Sequence, residues 1–216
     1  MKLSRILVAL ALLSPFVGVA PSQAYNPDHL IRLRNVNNCT ACDLRAAYLR
    51  QSNLAGAYLL EADLFAADLI GADLTDAFLS GGVFEAADLR GAILQRAIAQ
   101  EANFGGATLV SANLTDSNFG GSYMRYANLS NATLQNASLQ NADLRGAVFR
   151  NASLTAANLE NADLSGVDFY NANLNGANLS GARFNGASLL SARLCNTKMP
   201  DGDVSNRDCS ATPPVF

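Results

Sequence analysis

"LQNADLRGAVF", residues 139–149, decides the fold, because its bulky apolar residues Leu139, Leu144 and Phe149 recur at every fifth place. On an α-helix five residues advance roughly 500°, so successive leucines would step about 140° around the axis and form no stripe. On a flat strand an odd spacing inverts the face, so they would alternate between core and water. A chain that bends after every unit solves the problem, since each unit then presents the same two residues inward.

Working outward from this stretch, the register holds without insertion or deletion. Of the 31 positions at five-residue spacing from Leu44 to Leu194, leucine fills 23 and phenylalanine six; Ala99 and Met124 are the exceptions. Two residues before each lies a second column, 42 to 192, where alanine fills 25 of 31 places and Cys42, Ser52, Gly82, Ser117, Ser122 and Val167 fill the rest. The Ala and Leu of one unit share a face of a short extended segment, and the residues between Leu and the next Ala turn the corner. The second residue after each leucine is often Gly or Asn, as at Gly146, Gly166, Asn131 and Asn151, which turn geometry favours. Just before the leucine stands Asp or Asn, as at Asp63, Asp73 and Asn173, whose short side chain can bond nearby backbone. The reading is a solenoid of one short strand and one turn at a time.

The pattern A(D/N)LXX in "EADLFAADLIGADL" (61–74), "NADLRGAVF" (141–149) and "NANLNGANLSGARF" (171–184) closely resembles the pentapeptide-repeat family over residues 42–196. The resemblance implies an all-β chain: a right-handed quadrilateral β-helix with about twenty residues per coil. At ~4.8 Å per coil the rod would be roughly 37 Å long. Twenty-residue spacing would stack Asn131, Asn151 and Asn171 in a ladder and alternate charge along Asp76, Arg96 and Asp116.

The flanks read as caps and a leader. Lys2 and Arg5, the apolar run Ile6–Leu13, and small residues Ser22 and Ala24 form the pattern of an export signal cut before Tyr25. The expected organisation is a signal peptide at 1–24, an N-terminal cap at 25–41, the repeat at 42–196, and a C-terminal cap and tail at 197–216. In "YNPDHLIRLRNVNN" (25–38), Leu30, Ile31 and Leu33 are expected on a short helix that covers the first coil. After Cys195 the chain leaves the register and carries a Pro-Asp-Gly turn signal, with a loose tail after Cys209.

Four cysteines lie in two pairs at the two ends of the repeat, Cys39 with Cys42 and Cys195 with Cys209. In an exported chain an even count reads as disulfides, and pairing within each end is expected because the rod separates the ends. A redox motif or half a zinc site at "CTAC" are the other readings; no thioredoxin-like context and no second CxxC accompany it.

No catalytic, cofactor-binding or metal-ligating constellation is present in the sequence. The lone His29 falls in the cap, and no Gly-rich phosphate loop precedes a helix. "NLT", "NLS", "NAT" and "NAS" match glycosylation acceptors as by-products of an Asn-rich repeat. Without residues 1–24 the balance is 13 basic to 18 acidic residues, which disfavours nucleic acid as a partner. Residues 43–101 carry nine acids and four bases, whereas 102–196 carry five of each. The acidic half also places apolar residues outward. Tyr58, Phe78 and Ile98 would align at twenty-residue spacing, with Leu60, Phe65 and Ile70 continuing around the coil. This is a candidate interaction patch, for an unknown protein partner or a second copy in a homodimer. Cross-strand pairs that merely stiffen the rod are the plainer reading.

The expected function is a non-catalytic interaction module outside the cytoplasm, without stable membrane insertion once the leader is cut. The resemblance implies a periplasmic or thylakoid-lumen location for exported members with a CxxC at the head of the repeats. It also offers an alternative, a DNA mimic that binds gyrase; a CxxC-based redox protein is a third.

Overall fold

The computed structural model describes residues 25–209. The signal-peptide reading of residues 1–24 and the loose tail after Cys209 lie outside the described residues.

From Asn38↔Tyr58 to Asn178↔Lys198, every unit forms one parallel bridge to the residue twenty positions on. A twenty-residue register divided into five-residue units gives four sides per coil. The unit Ala142-Asp143-Leu144-Arg145-Gly146, inside the stretch quoted first, shows what holds it. Asp143 N–H donates to Ser122 O of the coil below (2.9 Å), while Leu144 N–H and Gly146 N–H donate to Asp163 O and Ser165 O of the coil above (3.0 and 2.9 Å). Ala142 N–H closes the preceding corner on Leu139 O (3.1 Å). Arg145 N–H bonds the Asp143 side chain two residues back, at 3.4 Å. All five donors of the unit are therefore paired, as a close-packed backbone requires.

The last of these bonds gives the residue before leucine its chemistry. All sixteen Asp and Asn residues at that place between Asp43 and Asn178 accept from the N–H two residues on. The corner itself is left-handed. Thirty successive corner residues from Ala41 to Gly186 have φ between 53° and 75°, and nineteen of them are not glycine. That is the third position of a turn closed by the leucine carbonyl, where Gly and Asn are cheapest.

The inward columns make one continuous core. Leu144 is fully buried and Ala142 is 1% exposed. Phe84 and Phe104 stack at 4.6 Å in successive coils. A Cβ on Gly82 would lie 2.9 Å from the Phe84 ring, so the alanine column yields to glycine where the larger side chain sits. Ala99 replaces leucine in the coil that holds Phe84, which keeps the layer's volume near constant. Ser122 is an exception: its hydroxyl is buried with no hydrogen-bond partner among the described residues.

Both ends are closed. Helix α1, Pro27–Val36, starts at Asn26, whose side chain accepts from Asp28 N–H at 3.0 Å, and ends at left-handed Asn37. Leu30 and Leu33 are buried, but Ile31 is 54% exposed, which corrects its expected place on the covering face. On a helix, residue 31 lies about 100° from residue 30, while 33 returns to the same side. His29 Nδ1 accepts from Asp43 N–H at 2.9 Å and ties α1 to the first coil. The register reaches back to Cys39, which fills a leucine place and is buried. At the other end, β1 (Thr197–Lys198) and β2 (Val204–Ser205) pair antiparallel around the Pro200-Asp201-Gly202 turn. Disulfides join Cys39 to Cys42 and Cys195 to Cys209, with Cα–Cα distances of 5.2 and 4.6 Å.

Truncating a mid-rod leucine should leave a cavity that the rigid lattice cannot fill. Leu144→Ala is expected to lose about 2–5 kcal/mol in urea unfolding, and wild-type stability would refute its inward placement. Ser122→Ala removes the unpaired hydroxyl and should gain about 1 kcal/mol in the same measurement.

Candidate functional site

With both inward columns committed to the core, function falls to the outward residues, which the twenty-residue register stacks in columns. Of the sequence-predicted patch, the structure unites three members. Tyr58 is bridged to Phe78 and Phe78 to Ile98, and the Tyr58 and Phe78 rings stack at 4.7 Å and 12°. Tyr58 is exposed, and Phe78 and Ile98 are half-buried. Leu60 lies at the corner that follows this side, in a shallow groove with Glu61, Ser80, Gly81, Gln100 and Glu101. Phe65 and Ile70 are half-buried at the next two corners, so these six residues wrap the rod and do not share one plane.

A larger groove spans the adjacent side, from this corner to the next, and sequence reasoning did not single it out. It has a volume of about 760 Å³ and is lined by Gly81, Glu85, Ala86, Glu101, Asn103, Gly105, Gly106, Tyr123, Arg125 and Tyr126. It shares Gly81 and Glu101 with the Leu60 groove, which makes the two continuous. The signal was present in "NFGG" (103–106), where two glycines leave both corner places without a side chain, and in Tyr126, an aromatic residue at a corner. Tyr126 holds φ 57°, where a bulky residue is strained. It fits because Gly146 stands one coil above: a Cβ there would lie 2.6 Å from the Tyr126 ring. Glu101 leans in the same way over Gly121, and Glu61 over Gly81.

The charges divide into two populations. Eight aspartates of the repeat pair with arginines, whereas Asp73 and Asp116 do not. Of the expected column Asp76, Arg96 and Asp116, Arg96 bonds Asp76 through two nitrogens at 2.7 Å, whereas Asp116 accepts from Asn136 at 2.9 Å. A longer network runs Arg125–Asp143–Arg145–Asp163–Arg183, with contacts from 2.6 to 3.9 Å. Asn131, Asn151 and Asn171 occupy the same corner of successive coils, all left-handed. Glu61, Glu85 and Glu101, by contrast, enter no ion pair among the described residues. Among the described residues no group of three His, Cys, Asp or Glu is placed to hold a metal. No helix among them is long and apolar enough to cross a membrane.

Several of the paired carboxylates are more acidic than usual. The Arg45 hydrogen bond lowers Asp43, with burial opposing it. The Ser165 hydroxyl, at 2.6 Å, is the largest cause at Asp163. At Asp168 the Tyr170 backbone N–H comes first and Arg150 second. A carboxylate lowered in the folded state contributes stability that is complete above its unfolded value, about 3.9, and is lost as pH falls through the folded value. Urea midpoints should therefore drop as pH falls below about 4. Asp168→Asn keeps an acceptor for Tyr170 N–H but does not titrate, so its curve should be flatter in that window; identical curves would refute the assignment.

The chain matches the family model described as pentapeptide repeats, in 8 copies over residues 42–81, 83–116, 112–151, 127–166 and 162–199. A search of curated proteins returns no match. Among solved structures it is similar to HetL, a pentapeptide repeat protein involved in heterocyst differentiation regulation from the cyanobacterium Nostoc sp. strain PCC 7120. That likeness is 31% identity over 78% of each chain, with a TM-score of 0.31. A trypsin-treated form of QnrB1, a plasmid-mediated fluoroquinolone resistance protein, is 19% identical over 68% of this chain and 76% of its own, with a TM-score of 0.53. A pentapeptide repeat protein from the Arabidopsis thaliana thylakoid lumen is 28% identical over 51% of this chain and 66% of its own, with a TM-score of 0.25.

Proposed function

This chain belongs to the pentapeptide-repeat family, whose members fold as right-handed quadrilateral β-helices, and from that premise we propose that it is a non-catalytic protein-interaction module. The observation that carries the reading is the stacked column Tyr58–Phe78–Ile98, which puts apolar side chains on a rigid outer face beside unpaired glutamates. Aromatic side chains on a preformed surface bind with little ordering cost. The occupant is a partner protein or, as a second candidate, another copy of this chain meeting the same column in a homodimer.

The module acts outside the cytoplasm, in a periplasm or thylakoid lumen, after export by residues 1–24. Two disulfides support an oxidising compartment, where such bonds persist. The proposed organisation keeps the cap at 25–41, the repeat at 42–196 and the C-terminal cap and tail at 197–216. A DNA mimic is less well supported: eight aspartates of the rod pair with arginines, which breaks up any continuous anionic ridge. A redox role for "CTAC" is less well supported too, because Cys39 and Cys42 are bonded to each other and buried in the first coil.

Phe78→Asp tests the column. Its side chain points outward, so the thermal midpoint should stay within a few degrees of wild type, while the solution mass falls or a captured partner is lost. An unchanged mass together with unchanged partner capture would remove the column from consideration.

A further inference from the structure

The groove over Gly105 and Gly106 exists because side chains are missing from its floor. A Cβ on Gly106 would meet nothing within 4 Å, so any larger residue there would occupy the groove itself. On this floor stand two carboxylates, Glu85 and Glu101, with no cation partner among the described residues. Glu85 is held by a hydrogen bond from Asn103 Nδ2 at 3.1 Å. The one cation of the wall, Arg125, is committed to Asp143 at 2.6 Å. The groove lining thus sets two carboxylates against one guanidinium, which is bonded to a carboxylate outside the groove.

Its upper wall is aromatic. Tyr123 is 54% and Tyr126 74% exposed, so both phenol rings face solvent. Tyr126 is the sole aromatic residue among the thirty left-handed corners. Carboxylates set beside exposed aromatic faces match a guanidinium or an ammonium: the charge pairs with oxygen and the flat or methylene surface lies on the ring. Anionic ligands are repelled by the same charges. Continuity with the Leu60 groove through Gly81 and Glu101 lengthens the site beyond a single side chain. A floor of glycine also allows another backbone to approach closely.

We infer that this groove binds an arginine- or lysine-bearing extended peptide segment of a partner protein, with the cation between Glu85 and Glu101 and against Tyr123 and Tyr126. The inference rests on the interaction-module reading and gives its partner a chemistry.

The test uses the purified protein with both disulfides formed and a capped Gly-Gly-Arg-Gly-Gly peptide, its lysine counterpart, and a neutral citrulline counterpart. Binding is followed by isothermal titration calorimetry, because only two of the chain's six tyrosines line the groove. The arginine and lysine peptides should bind and the citrulline peptide should not. Glu101→Gln and Tyr126→Ala should each weaken binding about tenfold, the scale of one such contact. Glu160→Gln, on another part of the rod, should leave it unchanged. Equal binding of citrulline, equal weakening by Glu160→Gln, or no binding at millimolar peptide would overturn the site. Partner capture that survives a double Glu85→Gln, Glu101→Gln variant would also overturn it, while the interaction-module reading would stand on the Phe78 result.

Discussion

Every backbone N–H in a rod this narrow must find an acceptor, and the left-handed corner is what makes that possible. At each corner the leucine carbonyl takes the next alanine N–H, which frees the other donors to point up and down the axis. Nineteen non-glycine residues accept φ values of 53–60° for this, at a cost of order 1 kcal/mol each. The Asp or Asn before the leucine offsets part of that cost by bonding the donor the corner leaves over. Burial of the leucine behind it supplies the larger favourable part, about 1.5–3 kcal/mol per side chain. The motif thus reads as a list of what one bend requires.

The same register organises the outside. Columns repeat at about 4.8 Å, too close for two large side chains to stand upright at successive corners. The chain resolves this by alternation: a long residue leans over a glycine one coil on, as Glu61 does over Gly81, Glu101 over Gly121 and Tyr126 over Gly146. Glycines on the surface therefore carry information about their neighbours twenty residues earlier. Where two fall together, at Gly105 and Gly106, the lattice opens into a groove.

A solenoid contacts only its neighbours along the axis, so its first and last coils need separate closure. Helix α1 closes one end with Leu30 and Leu33, fastened by His29 to the Asp43 backbone. At the other, Asp208 and Asn206 side chains accept from Leu194 and Asn196 N–H, which the next coil would otherwise have satisfied. Each closure carries its own disulfide. The arrangement protects sheet edges that would otherwise recruit further chains.

The five-residue spacing by itself determined the solenoid, the inward columns and the corner, because no other backbone path keeps Leu139, Leu144 and Phe149 on one side. The Asx bonds were legible for the same reason: they span two residues and need no knowledge of the coil. The tertiary structure decided what depends on neighbours twenty residues apart. It showed that Ile31 turns from the core, and that most aspartates of the repeat pair with arginines while Glu61, Glu85 and Glu101 do not. Five-residue periodicity creates many candidate columns, and only the closed coil selects which residues stack. That selection set Glu85, Glu101, Tyr123 and Tyr126 around a floor of glycine, though no two of the four are adjacent in the chain.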